Sequence, residues 1–401
     1  MKKSIYFLFS AFATGVIWSS CQRESAPSGA GLYSAEPMLP ATLHDYNDQG
    51  SNRSGLDGKL INNKLAQLGR VLFYDKALSV SNNVACASCH HQEKAFSDGL
   101  ALSRGFMGEE TARNSMAIFN MATNGSYFWD LRRDGLKEMV LDPVQHLLEM
   151  GMESPSTLSK KIEEIPYYKN LFSGTFGSET VTSEKISDAL AEFISAMMSN
   201  TSRFDQRNLT AQEFRGQEIF ITAQCVNCHG GPNFNNQLLF DGLAFVNSGG
   251  GGWGGGSGGP SGPNLTADFA NIGLDYSYAD PGISPEKQAE FGLTDIEKGL
   301  FKIPSLRNIA ITGPYMHDGR FKSLIDVINH YDHGVKGHSN LDPRLQEIDV
   351  DPLTGEGTFS GIPRKLHLSQ QDKEDLIAFF GTLTDQTLTT HPRFSNPFRP
   401  K

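Results

Sequence analysis

Cysteine is scarce in this chain: five in 401 residues, too few for the disulfide lattice that holds small secreted scaffolds together. Basic charge is not in excess either. Lys and Arg number 35 against 45 Asp and Glu, a formal net charge of −10. That balance excludes the basic footprint of a nucleic-acid-binding protein, whereas an acidic surface suits a basic partner or simply keeps a chain in solution. Beyond Trp18 no apolar run is long enough to span a bilayer. Sustained polar–apolar alternation is missing too, and with it the signature of an extended sheet.

What is present is a helical signal broken by Pro, Gly and Asn. From Ser183 the residues Ile186, Leu190, Phe193, Ile194 and Met197 fall on one face at helical spacing. Ser369-Gln370-Gln371-Asp372 has the form of a capping box ahead of a helix carrying Leu376, Ile377 and Phe380. The expected fold class is therefore all-α, with mostly short helices and long loops. Ser248 to Gly262 is almost pure Gly with Trp253, Ser and Pro. No strand precedes it and no helix follows, so a phosphate-loop reading lacks its context, and residues 248–262 read as a flexible insertion without chemistry.

The N-terminus has the form of an export signal. Met1-Lys2-Lys3 precedes the largely apolar run Ile5 to Trp18, a charged n-region and an h-region. Ser19-Ser20 then lead into Cys21, which resembles a bacterial lipoprotein cleavage site, although Trp18 fits the third position before the cysteine poorly. The expectation is a signal peptide over 1–20, then a lipid-anchor site at Cys21 and a flexible tether over 21–42. The alternative is a simple signal peptide with a free cysteine. Such a protein faces the periplasm and meets the membrane only through its N-terminal lipid.

The other four cysteines form one pattern twice. Cys86-Ala87-Ser88-Cys89-His90 and Cys225-Val226-Asn227-Cys228-His229 each read as a covalent c-type haem attachment site. Two thiols one helical turn apart reach the vinyl groups of one porphyrin, and the adjacent imidazole meets the iron as proximal ligand. A zinc site would need a further cysteine pair near each motif, and none exists; nor does any cysteine remain for a disulfide. The reading is two covalently bound haem c groups in two tandem cytochrome c-like domains, 43–203 and 204–395, dividing near Asn200 to Asn208. Apart from the haem motif, the halves show no obvious sequence repeat.

Both irons then have a proximal His, and function depends on the sixth position. Here the chain resembles the bacterial dihaem cytochrome c peroxidases. The resemblance rests on Arg113-Asn114-Ser115, Tyr127-Phe128-Trp129-Asp130, Asp142-Pro143 and Glu149-Met150-Gly151 after the first motif. After the second it rests on Phe301-Lys302-Ile303-Pro304-Ser305-Leu306-Arg307-Asn308 and Thr312-Gly313-Pro314-Tyr315-Met316-His317-Asp318-Gly319. It covers roughly Leu65 to Thr384. It implies that the first haem is the peroxide site, with Glu149 as distal carboxylate moving a proton between the two peroxide oxygens. A Glu in a haem pocket would have a raised pKa suited to that task; the alternative is a surface Glu beside Met150. Trp129 matches the tryptophan between the haems, an oxidisable bridge, and would otherwise be a core tryptophan.

Three positions depart from the commonest pattern of that family. The distal His that closes haem 1 in many members has no counterpart in Leu102-Ser103-Arg104-Gly105-Phe106-Met107, and His91 adjoins the proximal ligand. Haem 1 is therefore expected to be open. A family glutamine in the distal pocket is replaced by Met139. At haem 2 the family's methionine ligand falls at Tyr331, as in the MauG-like branch, with Met316 and His330 as competing candidates. A thioether favours Fe(II), whereas a phenolate favours Fe(III) and higher oxidation states. The resemblance also implies a Ca2+ ion held by the Asn114 side chain, the Thr312 and Pro314 carbonyls and water, an oxygen-only set suited to calcium. His317 would lie near a propionate or the interhaem path, or be a satisfied turn histidine. Arg113 and Arg307 are candidate propionate partners, or structural ion pairs.

The function implied is reduction of H2O2 by electrons from a small donor protein, a cytochrome c or a copper protein, entering through haem 2. A MauG-like oxidase acting on a protein partner is the alternative, and a non-catalytic dihaem electron carrier the third. Dimers are usual in the family, so a homodimer is carried over as an expectation.

Overall fold

Helix α1 (Asn63–Tyr74) starts where the Asn62 side chain accepts the backbone N–H groups of Lys64 and Leu65, two of the donors a helix start leaves unsatisfied. The structure, a computed structural model, describes residues 36–40, 42–47, 60–235, 268–293, 297–350 and 357–398. The signal peptide, Cys21 and the Gly-rich stretch 248–262 lie outside the described residues, and so does the tether as far as Ala35. The described residues from Pro37 onward pack as one unit.

Helix α2 (Ser183–Ser195) is capped by Thr182 and lies against α1. The crossing is so close that a Cβ on Gly69 would stand 1.8 Å from the Ala189 carbonyl oxygen; only glycine permits it. Phe73 and Phe193 meet beside this crossing with ring centroids 5.5 Å apart. The second half repeats the arrangement. Helix α3 (Ala211–Thr222) opens on a Thr210–Glu213 capping box, and α4 (Gln370–Gly381) on the expected Ser369–Asp372 box. A Cβ on Gly216 would stand 1.9 Å from the Asp375 carbonyl oxygen, and Phe220 and Phe379 meet at 5.6 Å. Each haem motif follows the first helix of its pair.

Among the described residues the molecule is mostly helical but not all-α. Strands β1 (Phe269–Ala270) and β2 (Phe301–Lys302) pair antiparallel, as do β3 (Gln346–Val350) and β4 (Gly357–Pro363). Two-residue strands carry no period, and β3 runs for only five residues, too short to stand out in the sequence. β2 ties the halves together, because the Lys302 N–H donates to the Trp129 carbonyl at 2.8 Å. The C-terminus does so too. The short helix Gln386–Thr390 and the residues beyond it return to the first half. There the carbonyls of Arg393, Phe394 and Ser395 accept from Tyr46, Tyr74 and Arg70. Among the described residues, no helix is long and apolar enough to cross a membrane.

Candidate functional site

Each Cys-x-x-Cys-His motif opens on a single 3-10 turn, Cys86–Ser88 and Cys225–Asn227, and lines its own cavity. In both, the histidine is fixed in the same way. Nδ1 of His90 lies 2.8 Å from the Phe96 carbonyl oxygen, and Nδ1 of His229 lies 3.1 Å from that of Phe234. A ring N–H donating there leaves Nε2 with its lone pair free, the orientation a metal-ligating imidazole needs. Burial pushes both rings toward the neutral form, His229 to about 4.

The first cavity is walled by Phe73, Ile118, Met139, Val140, Pro143, Met150, Leu190 and Ile194. Outside the haem motif, Glu149 is the one ionisable side chain among its lining residues, and no second imidazole lines it. Burial is the main cause that pushes the Glu149 carboxyl above the usual carboxylate range, while His146 and Arg132 pull the other way. Its backbone is pinned: the Glu149 carbonyl accepts from Phe106 N–H at 2.8 Å, and Gly151 turns at φ +69° against the Phe106 ring. The Leu102–Met107 segment thus shapes the pocket through Gly105 and supports Glu149 through Phe106. His146 went unnoticed in the sequence. Its Nδ1 stands 3.4 Å from the Glu149 carboxylate, and the i,i+3 spacing of Asp142-Pro143-Val144-Gln145-His146-Leu147-Leu148-Glu149 was the available signal.

The second cavity is larger and draws on both halves. Cys225, Cys228 and His229 line it together with Tyr331, Met316, His317, Trp129, Asn114, Thr312, Pro314 and Arg307. Lys302, Arg307, Arg344 and Arg364 are among the lining residues, and no carboxylate is. Lys302 Nζ and Arg364 Nε are buried without a hydrogen-bond partner, and burial pushes the Lys302 ammonium down to about 8. Unpaired buried cations are costly. A large apolar cavity with two orphaned cationic donors fits a flat apolar group carrying carboxylates, as a haem with its propionates is. In the sequence Lys302 stands inside a longer motif with nothing to single it out, and Arg364 carries no signal at all.

The remaining candidates fall into place around this cavity. Trp129 donates its indole N–H to the Asn114 carbonyl at 2.9 Å, and the Asn114 N–H donates to the His317 carbonyl at 2.7 Å. The Asn114 amide N–H2 is spent on the Leu100 and Ala101 carbonyls, which turns its oxygen away from them. His317 stacks on Phe301 with centroids 3.8 Å apart. Tyr331 follows the short helix Leu324–Asn329 in a π-turn, and burial pushes its phenol up. His330 is not a lining residue, and its Nε2 lies 2.9 Å from the Ile272 carbonyl oxygen. Arg113 lines neither cavity; it is held by Asp280 at 2.6 and 2.8 Å and by Asp130 at 2.7 Å. Arg307 pairs with Asp205 in the same bidentate way, at 2.9 and 2.8 Å.

Comparison with known proteins gives the family. Residues 63–213 match the sequence model of the family described as di-haem cytochrome c peroxidase. Methylamine utilization protein MauG of Paracoccus denitrificans is 30% identical over 365 residues, 80% of this chain and 89% of its own length. Cytochrome-c peroxidase IdrP1 of a Pseudomonas species (strain SCT) is 29% identical over 355 residues, 83% of this chain and 84% of its own. A solved MauG-like protein associated with microbial copper homeostasis superposes with a TM-score of 0.67 at 30% identity, covering 90% of this chain and 99% of that one. With two complete haem motifs, each backed by an anchored histidine and its own cavity, the chain belongs to the di-haem cytochrome c peroxidase family.

Proposed function

We propose that this chain reduces hydrogen peroxide to water, H2O2 + 2 H⁺ + 2 e⁻ → 2 H2O. Peroxide is taken at the first cavity, and electrons from a small redox protein enter at the second. The observation that carries this reading is Glu149, a lone ionisable side chain in the otherwise apolar wall around the first haem motif. Bound haem supplies the iron that accepts the substrate and the redox equivalents that reduce it.

The chain's own residues do the rest. His90, oriented by the Phe96 carbonyl, would hold a haem iron through Nε2, and His229, oriented by the Phe234 carbonyl, would do the same for the second. Glu149 takes the proton of the near peroxide oxygen on its carboxylate and returns it to the departing one, a task helped by a pKa raised toward the working pH. Lys302 and Arg364 pair with propionates in the second cavity. Trp129, lodged among Tyr278, Phe301 and Met316, supplies the oxidisable ring between the two halves, with His317 chained to it through Asn114. Tyr331 would hold the iron of the second haem through its phenol oxygen, and Asn114, Thr312 and Pro314, all lining one cavity, would hold a calcium ion through oxygen atoms. The haem-bearing halves are 43–203 and 204–395, and the N-terminus exports the chain to the periplasm and anchors it through Cys21.

Glu149→Gln is expected to lower kcat with peroxide by about 10²-fold or more while the haem spectrum stays intact; full turnover in that variant would overturn the reading. Low-temperature EPR of the oxidised holoprotein should show a high-spin ferric signal that peroxide abolishes. Tyr331 in the second cavity favours a second reading, a MauG-like oxidation of residues on a protein partner. Fast peroxide turnover with a reduced small cytochrome decides for the first reading, and partner oxidation without such turnover for the second. Tyr331→Met should raise the potential of the second haem in a potentiometric titration, because a thioether favours Fe(II).

A further inference from the structure

A carboxyl group that lines an apolar cavity works repeatedly only if protons reach it from water. His146 stands where such a supply would enter. It ends the helical turn Asp142–Gln145, and its side chain is 47% exposed, against 31% for Glu149. Nδ1 lies 3.4 Å from Glu149 Oε1 and also accepts the Leu148 N–H at 3.3 Å. A neutral ring in this position therefore carries its proton on Nε2 and turns the Nδ1 lone pair toward the carboxyl. Glu149 lines the first cavity and His146 does not, so the two form a line from solvent to cavity.

We infer that His146 is the proton inlet of this site, a positioning residue that reloads Glu149 from bulk water; the inference rests on the reading of Glu149 as the proton carrier. With the ring turned outward, the free Nδ1 takes a proton from water; on swinging back the imidazolium gives that Nδ1 proton to the Glu149 carboxylate, which restores the neutral Nε2–H ring. No bond other than O–H and N–H changes, and no electron moves. Imidazole suits this because a ring nitrogen both binds and releases a proton. The other charged groups around the pair are Arg132 and Asp142, which act on Glu149. Asp142 is itself occupied by Arg133, at 2.8 and 3.0 Å, with Arg132 farther off at 3.7 Å. Neither competes as a relay, since an arginine does not give up its proton and the Asp142 oxygens are already taken by the guanidinium groups.

The test uses His146→Gln and His146→Ala in the holoprotein, with peroxide and a small-molecule electron donor so that docking does not limit the rate. In dilute buffer kcat should fall at least about tenfold with KM for peroxide unchanged, and rising phosphate or MES concentration should restore it. Wild type should be insensitive to buffer. Infrared difference spectra supply a readout independent of turnover: after transfer to D2O, the Glu149 carboxyl should exchange its proton more slowly in both variants. A loss of kcat that buffer leaves unrestored, or unchanged exchange at Glu149, would reduce His146 to a structural ion pair. Full kcat in both variants while Glu149→Gln is inactive sinks the inlet and leaves Glu149 standing; full kcat in Glu149→Gln removes the reading underneath both.

Discussion

A carboxyl group walled by Met139, Pro143, Met150 and Leu190 holds its proton to higher pH than one in water. For Glu149 this has a consequence for stability as well as for turnover. Its folded pKa is raised, so between the ordinary Glu value of about 4.3 and the raised one the unfolded chain binds fewer protons than the folded chain. The contribution of the protonated form is then complete at low pH and is lost as pH rises through the folded value. Glu149→Gln removes that dependence. Its stability relative to wild type should grow with pH across the window and then level off, as urea unfolding at a series of pH values would show. Parallel curves would mean that Glu149 titrates as it does in water. The residue identities behind the site were legible, because Cys-x-x-Cys-His admits few other meanings. The orphaned Lys302 and Arg364 were not, since a side chain becomes a site residue only when folding removes its water.

The helix crossings show how single glycines set whole elements. Gly69 and Gly216 let backbone meet backbone, and in both halves a phenylalanine follows four residues later, Phe73 and Phe220. Gly-x-x-x-Phe therefore occurs at both first helices, and Leu-x-x-Phe at both second ones, Leu190 to Phe193 and Leu376 to Phe379. This repeat escapes notice in the sequence because each copy rests on two residues, and only the shared crossing joins them. Gly69→Ala should destabilise by about 2 kcal/mol or more, since the new methyl meets a carbonyl that cannot move alone. Gly174, inside the helix Pro166–Phe176 with nothing within 4 Å of its Cβ position, should behave oppositely. Its change to Ala should stabilise by about 0.5 kcal/mol. Thermal unfolding of the two variants together separates close approach from helix propensity. Ser369→Ala should cost about 1 kcal/mol, because the cap that reads so clearly in the sequence satisfies a real helix terminus.

At the scale of the molecule the halves are cross-fastened by groups far apart in sequence. Arg113 reaches Asp280, and the C-terminal residues reach Arg70, Tyr74 and Tyr46. Arg393 lies buried there and donates to the Asp45 carbonyl at 2.6 Å. Removing the chain beyond Asp385 should therefore loosen the first half although the cut lies in the second. Hydrogen exchange should accelerate in Asn63–Tyr74 and Ser183–Ser195 while Ala211–Thr222 and Gln370–Gly381 stay protected. Equal loss of protection in both helix pairs would show that the strap holds the whole molecule rather than one half.

The sequence by itself determined two haem attachment sites, the helices that carry a clear cap or apolar face, and the family, because each of these rests on residues near one another along the chain. Folding decided the rest. It placed Glu149 alone in an apolar wall with His146 outside it, left Lys302 Nζ and Arg364 Nε without partners in the second cavity, and gave Arg113 and Arg307 to carboxylates. It also brought the chain end back onto the first helix. Burial, pairing and charge compensation depend on which distant segments come together, and a local pattern of residue types carries no record of that.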